Sequence, residues 1–287
     1  METSMKIAVV TDSGSNIYHQ GIEMEGLYKL PLQITDGVET FLEGETITID
    51  QTYQMIADKK TLMTSLPPLG RIEELFESLK QQYDGIFAVP ICPGLSGTLG
   101  AMQSAAMTVG IPFDFIDCYS TASNELHLAI CARKMFDEGK TVKQVRETLQ
   151  TAASDSVTFV IADDLPHLAR NGRVTPMAAT IGGLFKIKPV LIVNKASNGK
   201  IDVYDKVRTM TKSFESVITY FKKMGVDEHH LICVAHVWAE ESGKELLARI
   251  TQEFPTTEVF FVPLISTVGV NTGLGCVACQ AIRKVQW

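Results

Sequence analysis

Short apolar runs and stretches of helical period alternate along the whole chain. Residues 6–10 form an apolar run that stops at Thr11-Asp12-Ser13, which predicts a buried strand closed by a polar turn. Asp36-Gly37 is a hairpin signal between strands at 29–34 and 38–41. Residues 50–60 and 71–83 read as helices; in the second, Ile72, Leu75, Phe76 and Leu79 fall on one face. A strand at 86–89, a helix near 96–109 and a strand at 113–116 follow. Helices at 122–136 and 142–151 come next, the latter with Thr141 as its N-cap. Near 153–156 the pattern restarts. Beyond it lie a strand at 157–161, a short helix at 165–169 and a strand pair at 186–193 and 200–204 around Asn198-Gly199. A helix at 207–224, a strand at 231–236, a helix at 241–254, a strand at 259–262 and a last helix after Gly275 complete the chain. This alternation predicts α/β architecture in two domains, 1–154 and 155–287, with mainly parallel sheets.

The totals narrow the function classes. A chain of 287 residues, 45% hydrophobic and 21% charged, can bury one large core or two modest ones. The net charge is −7 and Lys and Arg are scattered, so no nucleic-acid partner is expected. Two long uncharged stretches, 85–113 and 259–282, are broken by Gly and Pro and dotted with Ser and Thr, so neither reads as a membrane span. The N-terminus has too short an apolar run for a secretion signal, and a soluble cytoplasmic protein is the expectation. The six cysteines sit mostly in apolar contexts, as reduced, buried thiols do. Cys276 and Cys279 have redox-motif spacing, but GLGCVACQAI reads as a packed C-terminal helix. No second Cys or His pair completes a zinc set, so neither metal nor cofactor is expected.

Three uncharged loops rich in hydroxyls and glycine stand out. Gly94-Leu95-Ser96-Gly97-Thr98 follows an apolar strand. It lacks the lysine of a phosphate-binding P-loop, the tight G-x-G of a dinucleotide site and the second glycine of a nucleophile elbow. Its small residues let a ligand approach the backbone, and a helix starting near Ser96 would aim free N–H groups at an anion. A plain strand–helix turn capped by Ser96 explains the same spacing. The second loop, Thr64-Ser65-Leu66-Pro67-Pro68, is held extended by its prolines. The third, 266–275, again joins an apolar strand to an apolar segment and carries Asn271 in a turn implied by Gly269 and Gly273. Three such loops suggest one site where hydroxyls and backbone amides converge. If Ser96 were instead the nucleophile of an acyl hydrolase or transferase, His127, His167 or His236 would have to supply the base.

These residues, taken in order, resemble the DegV family, fatty-acid-binding subunits that serve a bacterial fatty acid kinase. VVTDSGSN is similar to the family's opening strand and turn, Thr64-Ser65-Leu66-Pro67-Pro68 to its T-S-Q-P-S loop, and Gly94-Leu95-Ser96-Gly97-Thr98 to its S-G-L-S-G-T loop. Segment 168–174 resembles L-x-x-G-G-R-I, and Lys188-Pro189-Val190-Leu191 resembles K-P-I-L. Asn271 stands where the family's H-T-G-P-G loop carries histidine. The resemblance implies a tunnel at and near the domain interface that holds a long-chain fatty acid as ligand. Thr64, Ser65, Ser96, Gly97 and Asn271 would hold the carboxylate. Met177, Ile181, Leu184, Phe185 and Ile187 would line the acyl chain, and Arg170 and Arg173 would meet the kinase subunit. The implied role is that of a carrier, not an enzyme, with transient contact to a membrane surface.

Overall fold

The computed structural model describes residues 5–162, 167–168, 172–180 and 187–287. The first half is built on β1 (Ile7–Asp12), β2 (Leu27–Leu30), β6 (Gly85–Ala88) and β7 (Phe113–Phe115). They form a sheet of order β2-β1-β6-β7, parallel throughout. β1 is buried along its whole length, as a central parallel strand must be. Ala8 and Val10 face a layer made by α2 (Leu69–Lys80) and α3 (Thr98–Val109). Ile7 and Val9 face α4 (Ala122–Asp137) and α5 (Val142–Ser154). Thr141 caps α5 in a reciprocal box with Gln144.

The Asp36-Gly37 hairpin forms, but from shorter strands than the sequence suggests. Pro31 separates β2 from β3 (Gln33–Thr35), which pairs antiparallel with β4 (Thr40–Leu42) and β5 (Met63–Ser65). Asp36 Oδ1 accepts from the amides of Val38 and Glu39 and fixes the turn. The capped helix α1 (Ile49–Ala57) joins β4 to β5.

The second half is a six-stranded sheet of order β10-β9-β8-β13-β11-β12. Its strands are β8 (Val157–Ile161), β9 (Lys188–Asn194), β10 (Asp202–Val207), β11 (His230–His236), β12 (Glu258–Pro263) and β13 (Val277–Arg283). Here the expectation of mainly parallel pairing needs correcting. β11 and β12, joined through a helix, are parallel; the other pairings are antiparallel. A second correction concerns the C-terminus. The segment after Gly275 is not a helix but the strand β13, inserted between β8 and β11. Its period is two: Val277, Cys279 and Ala281 enter the core with Phe159, Phe214 and Phe221, while Ala278 faces the opposite side. Cys276 and Cys279 therefore belong to different core clusters, and both are buried and outside any disulfide.

One face of this sheet is covered by α7 (Met210–Met224) and α8 (Glu240–Glu253). The short α6 (Pro176–Ala179) lies before β9, and α9 (Ser266–Thr272) connects β12 to β13. The opposite face looks toward the loops of the first half.

Candidate functional site

A cavity of about 460 Å³ lies between those loops and the uncovered face of the six-stranded sheet. Its walls follow from strand alternation. Val160 of β8, Val193 of β9, Ala235 of β11 and Ala278 of β13 line it, while their sequence neighbours pack under α7 and α8. Ala278 pairs with both Ala235 and Val160, so small side chains occupy the middle of the sheet and leave room above it. Leu66, Ile91 and Leu95 close the cavity from the other side.

Thr64, Ser65, Ser96, Gly97 and Asn271 all line this cavity. Thr64 projects from β5, held in register opposite Ile34. Asn271 Nδ2 donates to Thr64 Oγ1 at 3.1 Å and to the Thr267 carbonyl at 2.6 Å. Thr64 Oγ1 accepts there, which leaves its own proton to donate. Ser96 lies 2.8 Å from the Thr98 hydroxyl and accepts from the Thr98 amide at 3.3 Å. Helix α3 thus starts at Thr98, two residues later than the sequence suggests, and has no side-chain cap at Gly97. The Thr98 amide is already taken by Ser96, and of the start of α3 the N-cap Gly97 is the described residue that lines the cavity. Asn271 is a second correction. It stands inside α9, not in a left-handed turn; the positive φ of 82° belongs to Gly273.

The hydroxyl loop is pinned to the second half by close backbone packing. A Cβ at Gly94 would lie 2.3 Å from the Gly199 carbonyl carbon, so no other residue fits. Beside it, the Cys92 thiol donates to Gly199 O at 3.4 Å.

The remaining expected residues are distributed differently. Arg173 does not project freely: it is half-buried and lines the cavity. Met177 is 63% exposed, and neither it nor the half-buried Ile187 is among the described lining residues. Arg170, Ile181, Leu184 and Phe185 lie outside the described residues. Of the histidines considered as bases, His127 contacts Cys131, His167 bonds the Val270 carbonyl at 2.6 Å and His236 stacks on Phe261. None of the three is among the described lining residues. No group of three His, Cys, Asp or Glu side chains that could hold a metal exists among the described residues. Among them, too, no helix is long and apolar enough to cross a membrane.

Three buried carboxyl groups under the site escape sequence reading. Asp12 ends β1 and accepts from the amides of Gly14 and Ile91 at 2.7 and 2.9 Å, fixing the start of the hydroxyl loop. Glu43 accepts from Ser13 and Thr267. Glu125 accepts from Thr11 at 3.0 Å, and its Oε2 has no hydrogen-bond partner among the described residues. Burial pushes Asp12 and Glu43 up to about 7 and Glu125 well above the usual carboxylate range. The one signal in the sequence is Asp12, set at the end of an apolar strand.

The family described as "Uncharacterised protein, DegV family" matches residues 6–284. A DegV domain-containing protein of Streptococcus pneumoniae is 29% identical over 287 residues, covering 98% of this chain and 100% of the relative. The protein DegV of Bacillus subtilis is 27% identical over 286 residues, covering 94% and 97%. Among solved structures, a fatty acid binding DegV family protein from Streptococcus agalactiae superposes with a TM-score of 0.89 at 28% identity, covering 98% of this chain and 99% of its own. DegV from Bacillus subtilis, described as a fatty acid binding protein, gives 0.84 at 25% identity, covering 98% and 100%.

The buried carboxyls make stability depend on pH with a definite sign. The folded chain holds Asp12 and Glu43 near 7, against 3.8 and 4.5 for the free side chains, so it binds more protons than the unfolded chain between those limits. The stability this gives is full below about pH 4 and is lost as pH rises through about 7. Thermal unfolding should therefore show Tm falling between pH 6 and pH 8.5; a Tm that rises over this interval would contradict the assignment.

Proposed function

The chain belongs to the DegV family, and from that premise and the cavity's geometry we propose that it binds a long-chain fatty acid and presents the carboxylate to a separate kinase. The observation that carries this reading is the convergence of Thr64, Ser65, Ser96, Gly97 and Asn271 at one apolar cavity. A carboxylate there meets hydroxyl and amide donors. The Streptococcus agalactiae and Bacillus subtilis structures, both fatty acid binding by description, support the choice of ligand.

The energetics suit a carrier. Burying ~14 methylenes at ~0.8 kcal/mol each gives ~11 kcal/mol. Association costs of ~4–15 kcal/mol offset much of that, so most of the acyl chain must be enclosed for tight binding. The head-group donors then fix orientation. In the proposed reaction the bound carboxylate attacks the terminal phosphoryl group of ATP on the kinase, releasing ADP and leaving an acyl phosphate on the carrier. Arg170 and Arg173 are the proposed contacts for that partner, since a guanidinium suits phosphate and carboxylate groups. Transient contact with a membrane surface would load the lipid.

Two measurements test the reading. Ser96→Ala and Thr64→Ala should each weaken palmitate binding by ~1.5–3 kcal/mol, the worth of a hydrogen bond to a charged group, with Tm close to the parent's. Calorimetric titration that returns parental affinity for both variants would remove the head-group assignment. Arg173→Ala should retain lipid binding and slow acyl-phosphate formation in a reconstituted kinase assay. Loss of lipid binding together with a normal kinase response to loaded protein would reverse that role.

A further inference from the structure

Helix α9 carries Asn271, yet nothing in its own sequence starts it. The residue before it, Ile265, has no side-chain oxygen to cap the first amides. The cap comes from Glu43, in the loop after β4. Glu43 Oε1 accepts from the Thr267 amide at 2.8 Å. Its Oε2 accepts from the Thr267 hydroxyl at 3.0 Å and from the Ser13 hydroxyl at 2.6 Å. Ser13 Oγ in turn accepts from the Leu32 amide at 2.9 Å. Beyond Thr267 the path continues, because its carbonyl takes the Asn271 amide that also reaches Thr64. Glu43 is thus linked to the head-group donors by consecutive hydrogen bonds.

The first turn of α9 is also a partition. Thr267 lines the main cavity, while Glu43 and Ser266 line a second one of about 270 Å³. Glu43 itself is 5% exposed. The ionisable groups set around it are Asp12 at the end of β1, Glu125 on α4, Tyr53 on α1, and Tyr18 and His19 lining the second cavity. Among the described residues no Lys or Arg forms an ion pair with Glu43.

We propose that Glu43 is a positioning residue of the head-group site and that it takes up one proton when a carboxylate enters. The inference rests on the fatty-acid reading above. When Glu43 is ionised, its Oε2 accepts the Thr267 hydroxyl proton. When a solvent proton sits on Oε2, that O–H donates to Thr267 Oγ1 instead, and the Thr267 proton turns into the main cavity. No covalent bond changes other than the new O–H. A ligand anion gains one neutral donor and loses one nearby negative charge. Burial holds Glu43 at about 7, so the exchange falls in the neutral range.

The test is calorimetric titration with palmitate at pH 6, 7 and 8, each in two buffers of different ionisation enthalpy, which counts protons taken up on binding. The parent should take up a fraction of a proton at pH 7 and bind about tenfold more weakly at pH 8 than at pH 6. Glu43→Gln should bind with less proton uptake and a flatter pH profile than the parent. Asp12, Glu125 and the ligand's own carboxyl remain in that variant, so the difference isolates Glu43. Thr267→Val keeps the backbone bond to Glu43 and removes the redirected hydroxyl; it should flatten the profile too, and it serves if Glu43→Gln does not fold. Variants that keep the parent's proton uptake and slope would overturn the role of Glu43, as would a parent with no uptake. Failure of the parent to bind palmitate at any pH would overturn the fatty-acid reading, and this role with it.

Discussion

Close packing of Gly94 on the backbone of Gly199 fixes where the hydroxyl loop can be. The loop belongs to the parallel half of the chain, and the turn belongs to the largely antiparallel half. Because neither glycine has a side chain, the two backbones meet directly and the loop reaches over the uncovered sheet face. The Ser96 side of the cavity depends on that approach. Ser96 and the start of α3 hang from the loop, Asp12 holds its first residue through the Ile91 amide, and Leu95 forms part of the apolar wall. A Cβ at Gly94 would push the loop away and open the cavity along its length.

The residues that the three loops bring together for a carboxylate, Thr64, Ser65, Ser96, Gly97 and Asn271, are all neutral, although Arg173 also lines the cavity. A single buried cation would bind a carboxylate strongly, but removing it from water is costly, and it would leave an unpaired charge whenever the ligand departs. Hydroxyls and amides avoid both problems and keep exchange reversible. The buried carboxyls beneath are consistent with that logic. Burial pushes all three up, Asp12 and Glu43 to about 7, so the charge beneath the head group can change near neutrality while hydrogen bonds tie the loops and α9 together.

Much of this was readable from residue order. Period-two and period-3.6 patterns placed most helices and strands to within a few residues, and the three uncharged loops indeed meet at one cavity. The errors have physical causes. The β13 segment VACQAIR reads as a helix because two of its seven residues are alanine, the strongest helix former; only Gln280, buried among Ser120, Thr121 and Thr158, betrays its alternation. The resemblance puts the apolar wall between Met177 and Ile187, yet neither of these two is among the described lining residues. Alternation tells which residues share a strand face but not which face is left uncovered, so nothing in the sequence marks Val160, Ala235 and Ala278 as cavity wall. Glu43 and Glu125 look like ordinary surface acids until the fold buries them.

The most direct measurement is native mass spectrometry of the protein purified from a bacterial host, followed by denaturing mass spectrometry of the same sample. A non-covalent mass excess equal to one long-chain fatty acid, absent after denaturation, is the expected result. A chain that carries no lipid and takes up none when palmitate is added, or one that bears an acyl group covalently on Ser96, would contradict the carrier reading.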